Sequence, residues 1–501
     1  MKKILNLRGF SSQVVRAAAW GAFAVASLVP GQELRAQGAQ SAAEKFVLQR
    51  LSASGEADLT QSGLKDVTLR HEFLEDLITS AKPPGAAATH GIRIVGAKID
   101  GQLSVSNATI PFALTFDNCQ FAQGFDLSSS SFARDFLLND STVGAITDPS
   151  RAEPLASFIG DRFAGRVSLD GTHFFNGVDF TDAKIDGALE ADGAHFESSN
   201  DEADFNDIQV KDHSSFRGAE FKGQLDLTGA ELAELMIDGI PPSGTAAAGS
   251  AGTGILIDHA QISKGLAIGN VAISGLGARS ATVQGDASLP NLLPNGLMLF
   301  SGSHFQTLKI TGFQQWLEHA KNFRFDGLSF DSISTDSKVE PDTMGMLKLL
   351  NQSPYDPQPY LALERYLHTT GHTDSADEAY FDMRARGRAQ LDPFHEFLDW
   401  VQYALVGYGR EIWKAALYAF VIILMGAMLF RGGQMVADGK STDDWYNPFW
   451  YSLDLLSPID LGVAKKWRAK NHLLRNYAQV HRVVGWILIP LIAAAITGII
   501  R

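Results

Sequence analysis

Apolar residues recur every eleven positions in four successive runs through the middle of this chain of 501 residues, and the register restarts at Phe163, Phe221 and Ile262. These residues, here called anchors, are Ile99, Ile110, Phe121, Phe132, Val143, Phe163, Phe174, Ile185, Phe196, Phe221, Leu232, Ile262 and Ile273. Two further apolar positions follow most anchors at four and six residues, as Leu114 and Phe116 follow Ile110. Because alternation with a period of two is typical of half-buried strands, the pattern predicts many short strands.

A small residue stands nine positions after most anchors, and we call these positions small slots. They hold Ala108, Cys119, Ser130, Ser141, Thr172, Ala183, Ala194 and Ala230. Turn-forming pairs such as Asp117–Asn118 and Asp170–Gly171 precede them, which an eleven-residue helical repeat would lack. Strand, turn and small residue at a fixed spacing predict stacked coils that cover each other's apolar residues. We therefore predict a mainly-β chain with a parallel β-helix (solenoid) over residues 91–335 and an Ala/Gly/Ser-rich loop insertion near 241–254.

The repeat resembles a known family. The stretch Phe163 to Phe174, FAGRVSLDGTHF, is similar to an eleven-residue variant of the pentapeptide repeats. Two parts of the chain resemble a group of bacterial pentapeptide-like-repeat membrane proteins. The entry to the repeats is similar in LRHEFLEDLI (69–78) and GIRIVGAKIDG (91–101), and the C-terminal ending is similar in FWYSLDLLSPIDLG (449–462) and GWIL (485–488). The resemblance implies a right-handed β-helix followed by a pair of transmembrane helices. Proteins of this group are often labelled membrane-associated oxidoreductases.

The composition does not favour that redox label. The chain has neither a Gly-rich nucleotide-binding turn nor ligand spacings for haem or iron–sulfur clusters, and its single cysteine, Cys119, falls in a small slot. We therefore predict no cofactor. The formal net charge of −14 argues against nucleic acid as a partner.

The acidic residues and histidines of the repeat do not predict catalysis. Parallel β-helices include polysaccharide-acting enzymes, which need two carboxylates that flank one bond. Asp117, Asp170, Asp182 and Asp192 instead recur at or near turns, where they cap the backbone. His71, His90, His173 and His195 have no evident spacing for a shared site. The expectation is no catalytic residue, no metal site and no enzymatic activity.

The segments that flank the repeat define further domains. Residues 1–38 combine a basic start, a short apolar core and small residues, as a signal peptide does, and residues 39–90 read as an N-terminal helical cap. Residues 336–392 carry apolar positions at helical spacing on both sides of Gly371, which predicts a helical hairpin.

The last segment, 393–501, reads as a membrane domain. Transmembrane helices are predicted near 413–430 and 483–500, so that the lipid bilayer is one partner. Eight basic residues separate them: Arg431, Lys440, Lys465, Lys466, Arg468, Lys470, Arg475 and Arg482. The segment from Leu391 to Ile412, which precedes the first predicted helix, contains only one Lys or Arg residue, Arg410. The positive-inside rule therefore predicts a cytoplasmic loop and a periplasmic or otherwise extracytoplasmic repeat domain. The resemblance to the bacterial family implies that the membrane is the bacterial inner membrane.

The loop between these helices, 447–462, supports two interpretations. Asn447 and Pro448 can start a short helix that ends at a turn containing Ser457, Pro458, Asp460 and Gly462. In a homo-oligomer this segment could be re-entrant and line a pore, with a ring of Asp460 side chains that attracts cations. The alternative is an interfacial helix with Trp445, Trp450 and Tyr451 as an aromatic belt and with Lys465 to Lys470 on anionic headgroups.

The leading functional expectation is a non-enzymatic, membrane-anchored envelope scaffold or interaction protein that presents the solenoid to an envelope protein or wall component. The alternative is an oligomeric, ion-channel-like pore gated by the β-helix domain.

Overall fold

The computed structural model describes residues 40–144, 156–198, 203–239, 253–319, 322–336, 342–438 and 445–497. The signal peptide 1–38, the loop insertion up to residue 252, Lys440, and residues 498–500 of the second predicted membrane helix lie outside these residues.

The chain forms a parallel β-solenoid of about 10 turns followed by helices, which confirms the predicted repeat architecture. Three parallel sheets run along the solenoid. The first contains Glu56–Asp58, Ile92–Val95, Thr109–Ile110, Leu114–Asp117, Ser131–Phe132, Phe136–Asn139, Arg162–Phe163, Val167–Ser168, Lys184–Ile185, Leu189–Glu190, Gln209–Ser215, Glu231–Asp238, Gln261–Gly269, Thr282–Pro290, His304–Thr311 and Ser329–Ser334. The second contains Thr68–Arg70, Lys98–Asp100, Gln120–Phe121, Thr142–Val143, His173–Phe174, His195–Phe196 and Glu220–Phe221. The third contains Leu103–Ser104, Phe125–Asp126, Ala156–Ser157, Val178–Asp179, Ala203–Asp204, Leu225–Asp226, Thr253–Leu256, Ala272–Gly277, Leu293–Leu299 and Asn322–Arg324.

One coil of the regular region spans two eleven-residue units. Phe121 therefore pairs with Ile99 and Val143 in the second sheet, while Ile110 pairs with Phe132 in the first. Alternate anchors belong to different sheets, and residues 22 apart in sequence stack directly on one another.

The anchors face the interior of the solenoid. All of them are buried except Phe221, which is partly buried. The phenylalanine rings among the anchors stack from coil to coil. The ring centroids of Phe132 and Phe163 are 4.6 Å apart, and those of Phe196 and Phe221 are 4.7 Å apart. Since each coil is covered only by its neighbours, these ladders are the hydrophobic core.

Residues that tolerate a left-handed backbone make the turns before the small slots. Asn118 and Asp182 have φ of 50° and 60°, and Gly171 has φ of 64°. Asn, Asp and Gly adopt this conformation at low cost, so the turn residues read from the sequence have a steric reason.

Polar residues in the small slots bond to neighbouring coils. The Ser141 hydroxyl accepts a hydrogen bond from the Cys119 backbone N–H at 3.0 Å, and the Ser130 hydroxyl donates to the Val105 carbonyl at 2.7 Å. Cys119 itself is buried, as its small slot predicts.

The Cys119 thiol should react with alkylating reagents only after denaturation. Burial raises its pKa to about 12, and each unit of pKa removes about nine-tenths of the reactive thiolate. We expect alkylation at least about 100-fold slower in the native protein than in urea, followed by mass spectrometry. Rapid labelling of the native protein would place the side chain at the surface.

Asp161 also occupies a small slot, which the sequence analysis did not recognise because the repeat is interrupted before it. Its Oδ1 accepts a hydrogen bond from the Ser130 N–H at 2.7 Å, and its Oδ2 has no hydrogen-bonding partner among the described residues. Burial raises the pKa of Asp161 to about 8. The carboxyl group is therefore held in its neutral form in the folded protein at neutral pH.

Asp161→Asn should remove part of the pH dependence of stability. In the unfolded chain Asp161 ionises near the ordinary pKa of Asp, whereas in the folded protein it keeps its proton to about pH 8. The free energy of unfolding that Asp161 contributes to wild type therefore falls as the pH rises between these two values. Relative to wild type, the variant should gain several kcal/mol in free energy of unfolding at pH 8 compared with pH 4, since each pKa unit of difference corresponds to about 1.4 kcal/mol. Urea titrations at both pH values test this, with the exposed turn residue Asp182→Asn as control. An equal change in both variants would argue against a buried neutral carboxyl group.

The helices lie at the two ends of the solenoid and beyond its C-terminal end. They are α1 (Ala42–Ser54), α2 (His71–Thr79), α3 (Ala87–His90), α4 (Phe313–His319), α5 (Thr343–Leu350), α6 (Pro357–Thr369), α7 (Thr373–Arg388), α8 (Pro393–Val406), α9 (Ile412–Leu429), α10 (Pro448–Leu456) and α11 (His472–Ile496). Short 3₁₀ turns occur at Leu59–Gln61, Gly407–Gly409 and Gly432–Gln434, and strands Met435–Ala437 and Trp467–Ala469 pair antiparallel.

The N-terminal end combines helices with the first strands. Helix α1 starts with a capping box in which Ser41 and Glu44 bond each other's backbone N–H, and the buried Glu44 pairs with Arg70 at 2.8 Å. Strands Glu56–Asp58 and Thr68–Arg70 already belong to the first and second sheets. Sheet pairing thus begins before residue 91, inside the segment predicted as a helical cap.

Helices α4 to α7 cover the other end. Trp316 of α4 and Tyr360 of α6 are buried in the same hydrophobic core as the last coils. Helices α6 and α7 pack together as a hairpin, and Gly371 between them has φ of 88°, as the sequence predicted for a helix end.

Candidate membrane site

Helix α11 is long and apolar enough to cross a membrane over His472–Ala494. Helices α8 and α9 meet the same criterion only together, as Pro393–Gly409 and Trp413–Leu429 bent by 108°. The described residues thus contain one candidate span, and the segment predicted near 413–430 is not clearly a second. Helix α9 has 18 residues, slightly fewer than the roughly 20 that a span needs.

Both apolar helices expose large hydrophobic side chains. On α9 these are Trp413, Leu417, Tyr418, Phe420, Val421, Leu424, Met425, Met428 and Leu429. On α11 they are Leu473, Val480, Val483, Trp486 and Ile487. Contiguous apolar surfaces of this kind mark contact with a membrane or with another protein.

Helix α10 packs against both α9 and α11. Its start matches the prediction: the Asn447 side chain accepts a hydrogen bond from the Phe449 N–H at 2.9 Å, and Pro448 is the first helical residue. The Ser452 hydroxyl donates to the Ile423 carbonyl of α9 at 2.8 Å, while Nε2 of His481 on α11 lies 3.1 Å from the Ser452 carbonyl oxygen. Ser452 therefore joins the three helices.

Glycines permit this close packing. A methyl group on Gly485 of α11 would lie 2.0 Å from the Leu456 carbonyl oxygen of α10. One on Gly426 of α9 would lie 2.2 Å from the Ser452 hydroxyl. Small residues at such contacts allow helices to approach closely in an apolar environment.

A buried carboxylate, Asp454, shapes the loop that follows α10. It accepts backbone hydrogen bonds from Leu461 at 2.6 Å, Val463 at 2.8 Å and Ala464 at 2.6 Å. The sequence analysis missed this residue. A single acidic residue within the apolar run of α10 was the available signal, because charged side chains are rarely buried without partners.

The structure brings the four predicted loop residues into one turn. The Ser457 hydroxyl accepts from the Ile459 N–H at 3.0 Å, Pro458 is exposed, and Gly462 has φ of 78°. The exposed Asp460 accepts from the Gly462 N–H at 2.9 Å and pairs with Lys465. Within one chain, Asp460 is thus a turn-capping residue whose charge is neutralised by a neighbour.

The predicted aromatic belt is present only in part. Trp445 and Trp450 are exposed, whereas Tyr451 is buried with its ring 5.0 Å from that of Phe430. Lys465, Lys466, Arg468 and Lys470 are exposed around the strand Trp467–Ala469. The exposed tryptophans and basic side chains are the groups that fit a membrane surface.

A polar network joins the helical hairpin to α8 and to the bend before α9. The buried Asp399 pairs with Arg384 and with Arg388 at 2.8 Å, and it accepts a hydrogen bond from the Tyr408 hydroxyl at 2.5 Å. Tyr408 has φ of 53°, an unfavourable value for an aromatic residue that the network holds in place. Arg410, the only Lys or Arg between Leu391 and Ile412, pairs with Glu364 and Asp377.

Comparison of the chain with protein-family models, with curated proteins and with solved structures gave no match.

Proposed function

We propose that this chain is a non-enzymatic, membrane-anchored scaffold that presents its β-solenoid outside the cytoplasm of a bacterium, at the inner membrane. The observation that carries this proposal is a difference in exposed apolar surface between the solenoid and the C-terminal helices. The solenoid buries its anchors among its own coils, whereas α9 and α11 expose large apolar side chains that water does not favour. The partner would be an envelope protein or a wall component on the solenoid surface.

The handedness and the repeat family of the solenoid are part of the same proposal. We infer that the solenoid is a right-handed β-helix built from a pentapeptide-like repeat of eleven residues. Its coils of 22 residues and its left-handed turn residues support this reading. We also infer that α9 crosses the bilayer together with α11, with α8 at the membrane surface.

The distribution of charge supports the orientation. Basic residues cluster in the segment between α9 and α11, and Lys465 to Lys470 include exposed side chains. The basic residue before α9, Arg410, is neutralised by Glu364 and Asp377. An excess of Lys and Arg is typical of the cytoplasmic side, so the solenoid would lie on the opposite side.

A pore remains the second candidate. It is favoured by one observation, that the short helix α10 packs against both apolar helices, α9 and α11. An oligomer could place the Asp460 turns around a common axis, with the β-helix domain as the gate.

Two measurements on the full-length protein test the proposal. Membranes from expressing cells should retain the chain after washing with carbonate at high pH, and a chain released by this wash would refute the membrane anchor. The mass of the protein in detergent then separates the candidates. A scaffold needs only a monomer or dimer, whereas a symmetric ring of several chains would favour the pore.

A further inference from the structure

His173 and His195 lie in direct register on adjacent coils of the second sheet. Their imidazole rings are stacked with centroids 4.1 Å apart and planes 14° apart. The sequence analysis found no shared spacing between these histidines, and that reading was wrong. They are 22 residues apart, which is one coil, and each precedes an inward-facing phenylalanine, Phe174 or Phe196.

A carboxylate completes the group. Glu197 follows His195 by two residues, and its Oε1 lies 3.9 Å from Nδ1 of His173. One ligand atom from each of His173, His195 and Glu197 lies within 4.8 Å of the other two. We propose that these three residues form a binding site for a divalent late transition metal, of which zinc is the representative. This inference does not depend on the membrane anchor.

The ligand types select the class of metal. Two imidazoles and one carboxylate suit zinc, cobalt or nickel rather than magnesium or calcium, which prefer oxygen ligands. A tetrahedral zinc ion with bonds of about 2.0 to 2.1 Å would bring the ligand atoms to about 3.4 Å from each other. The three side chains are partly exposed, so modest rotations can close this distance while the strands stay fixed.

Neighbouring residues fit an outer shell. The Glu220 carboxylate lies opposite His195, with its Oε2 3.2 Å from Nδ1 of His195. This contact orients the ring and leaves Nε2 free for a metal. Lys222 pairs with Glu197 and would compete with a bound cation for that carboxylate. Water would fill the remaining coordination positions.

The strands and the core beneath the site hold the backbone of the two histidines in place before a metal binds. The rings of Phe174 and Phe196 stack beneath the histidines with centroids 5.4 Å apart. Both histidines lie on strands paired within the sheet, and sites on such elements hold their geometry better than sites on loops.

Untagged full-length protein in detergent should bind one zinc ion per chain, measured by competition with a fluorescent chelator. His195→Ala should weaken zinc binding at least about 10-fold, and His173→Ala combined with His195→Ala should abolish it. The matched control is His213→Ala. His213 also lies beside a glutamate, with its Nε2 3.5 Å from Glu190, but belongs to no group of possible metal ligands among the described residues. Zinc binding by this variant should equal that of wild type.

Two further readouts separate a metal site from a loss of folding. Lys222→Ala removes the competing ammonium group and should tighten zinc binding several-fold. Cobalt added to wild type should give visible absorption bands of low coordination number, which His195→Ala should lose. Zinc binding that is absent in wild type, or that is equal in wild type and the double variant, would overturn the proposal.

Discussion

Phe163→Asp is expected to lower the free energy of unfolding of the solenoid by roughly 4 kcal/mol or more. Phe163 is buried, and its ring stacks on Phe132 of the preceding coil at 4.6 Å. The substitution removes this packing and places a charge among the buried apolar side chains of the core. Because each coil is covered only by its neighbours, the defect should spread along the stack.

Ala164→Asp is the matched control, since Ala164 is the next residue in the chain and its side chain is exposed. It adds the same charge to the outer face and should change stability by less than about 0.5 kcal/mol. Equilibrium unfolding in urea, followed by circular dichroism near 218 nm, measures both variants. Equal stability of the two would mean that the anchors do not face inward.

Asp399→Ala should cost about 3 kcal/mol or more in free energy of unfolding. The substitution leaves Arg384 and Arg388 without their shared carboxylate and removes the hydrogen-bond acceptor of Tyr408. The left-handed backbone of Tyr408 would then lose its support, and the bend between α8 and α9 should loosen.

Glu396→Ala provides the comparison, because Glu396 is an exposed acidic residue on the same helix. Its effect should be within about 0.5 kcal/mol. Unfolding in detergent, with limited proteolysis around residue 408 as a second readout, tests the pair. If Asp399→Ala behaved like Glu396→Ala, the network would be dispensable for joining the hairpin to α8 and α9.

Much of the solenoid can be read from the sequence because its physical rules are local. An inward anchor such as Phe132 must be apolar, a turn residue such as Asn118 must tolerate positive φ, and a small slot such as Cys119 must be compact. The length of the coil was not evident in the same way. Eleven-residue periodicity does not say that two units form one coil, and only strand pairing reveals that residues 22 apart are neighbours.

Because the coil length was not evident from the sequence, the contact between His173 and His195 was not predicted. Once the coil length is known, His173 and His195 are placed side by side by counting alone. Asp161 is a different case: its small slot falls after an interruption of the repeat, so the periodicity that identified Cys119 did not extend to it.

The C-terminal helices α8 to α11 were less predictable than the repeat. Pro448 and Asn447 correctly indicated the start of α10, because capping depends on adjacent residues. The role of Asp454 depends on a loop that returns to it seven to ten residues later. The bend at Tyr408 depends on Asp399 and two arginines from another helix. Local patterns do not encode such contacts.

The orientation of the chain in the membrane tests the central claim most directly. One set of reporters, active only outside or only inside the cytoplasm, is fused after Asp377 of α7, and another after Lys440, between α9 and α10. The account predicts that the outside reporter works at Asp377 and the inside reporter at Lys440. The reverse pattern would put the solenoid in the cytoplasm and the Asp460 turn on the outer face, which would contradict an extracytoplasmic scaffold.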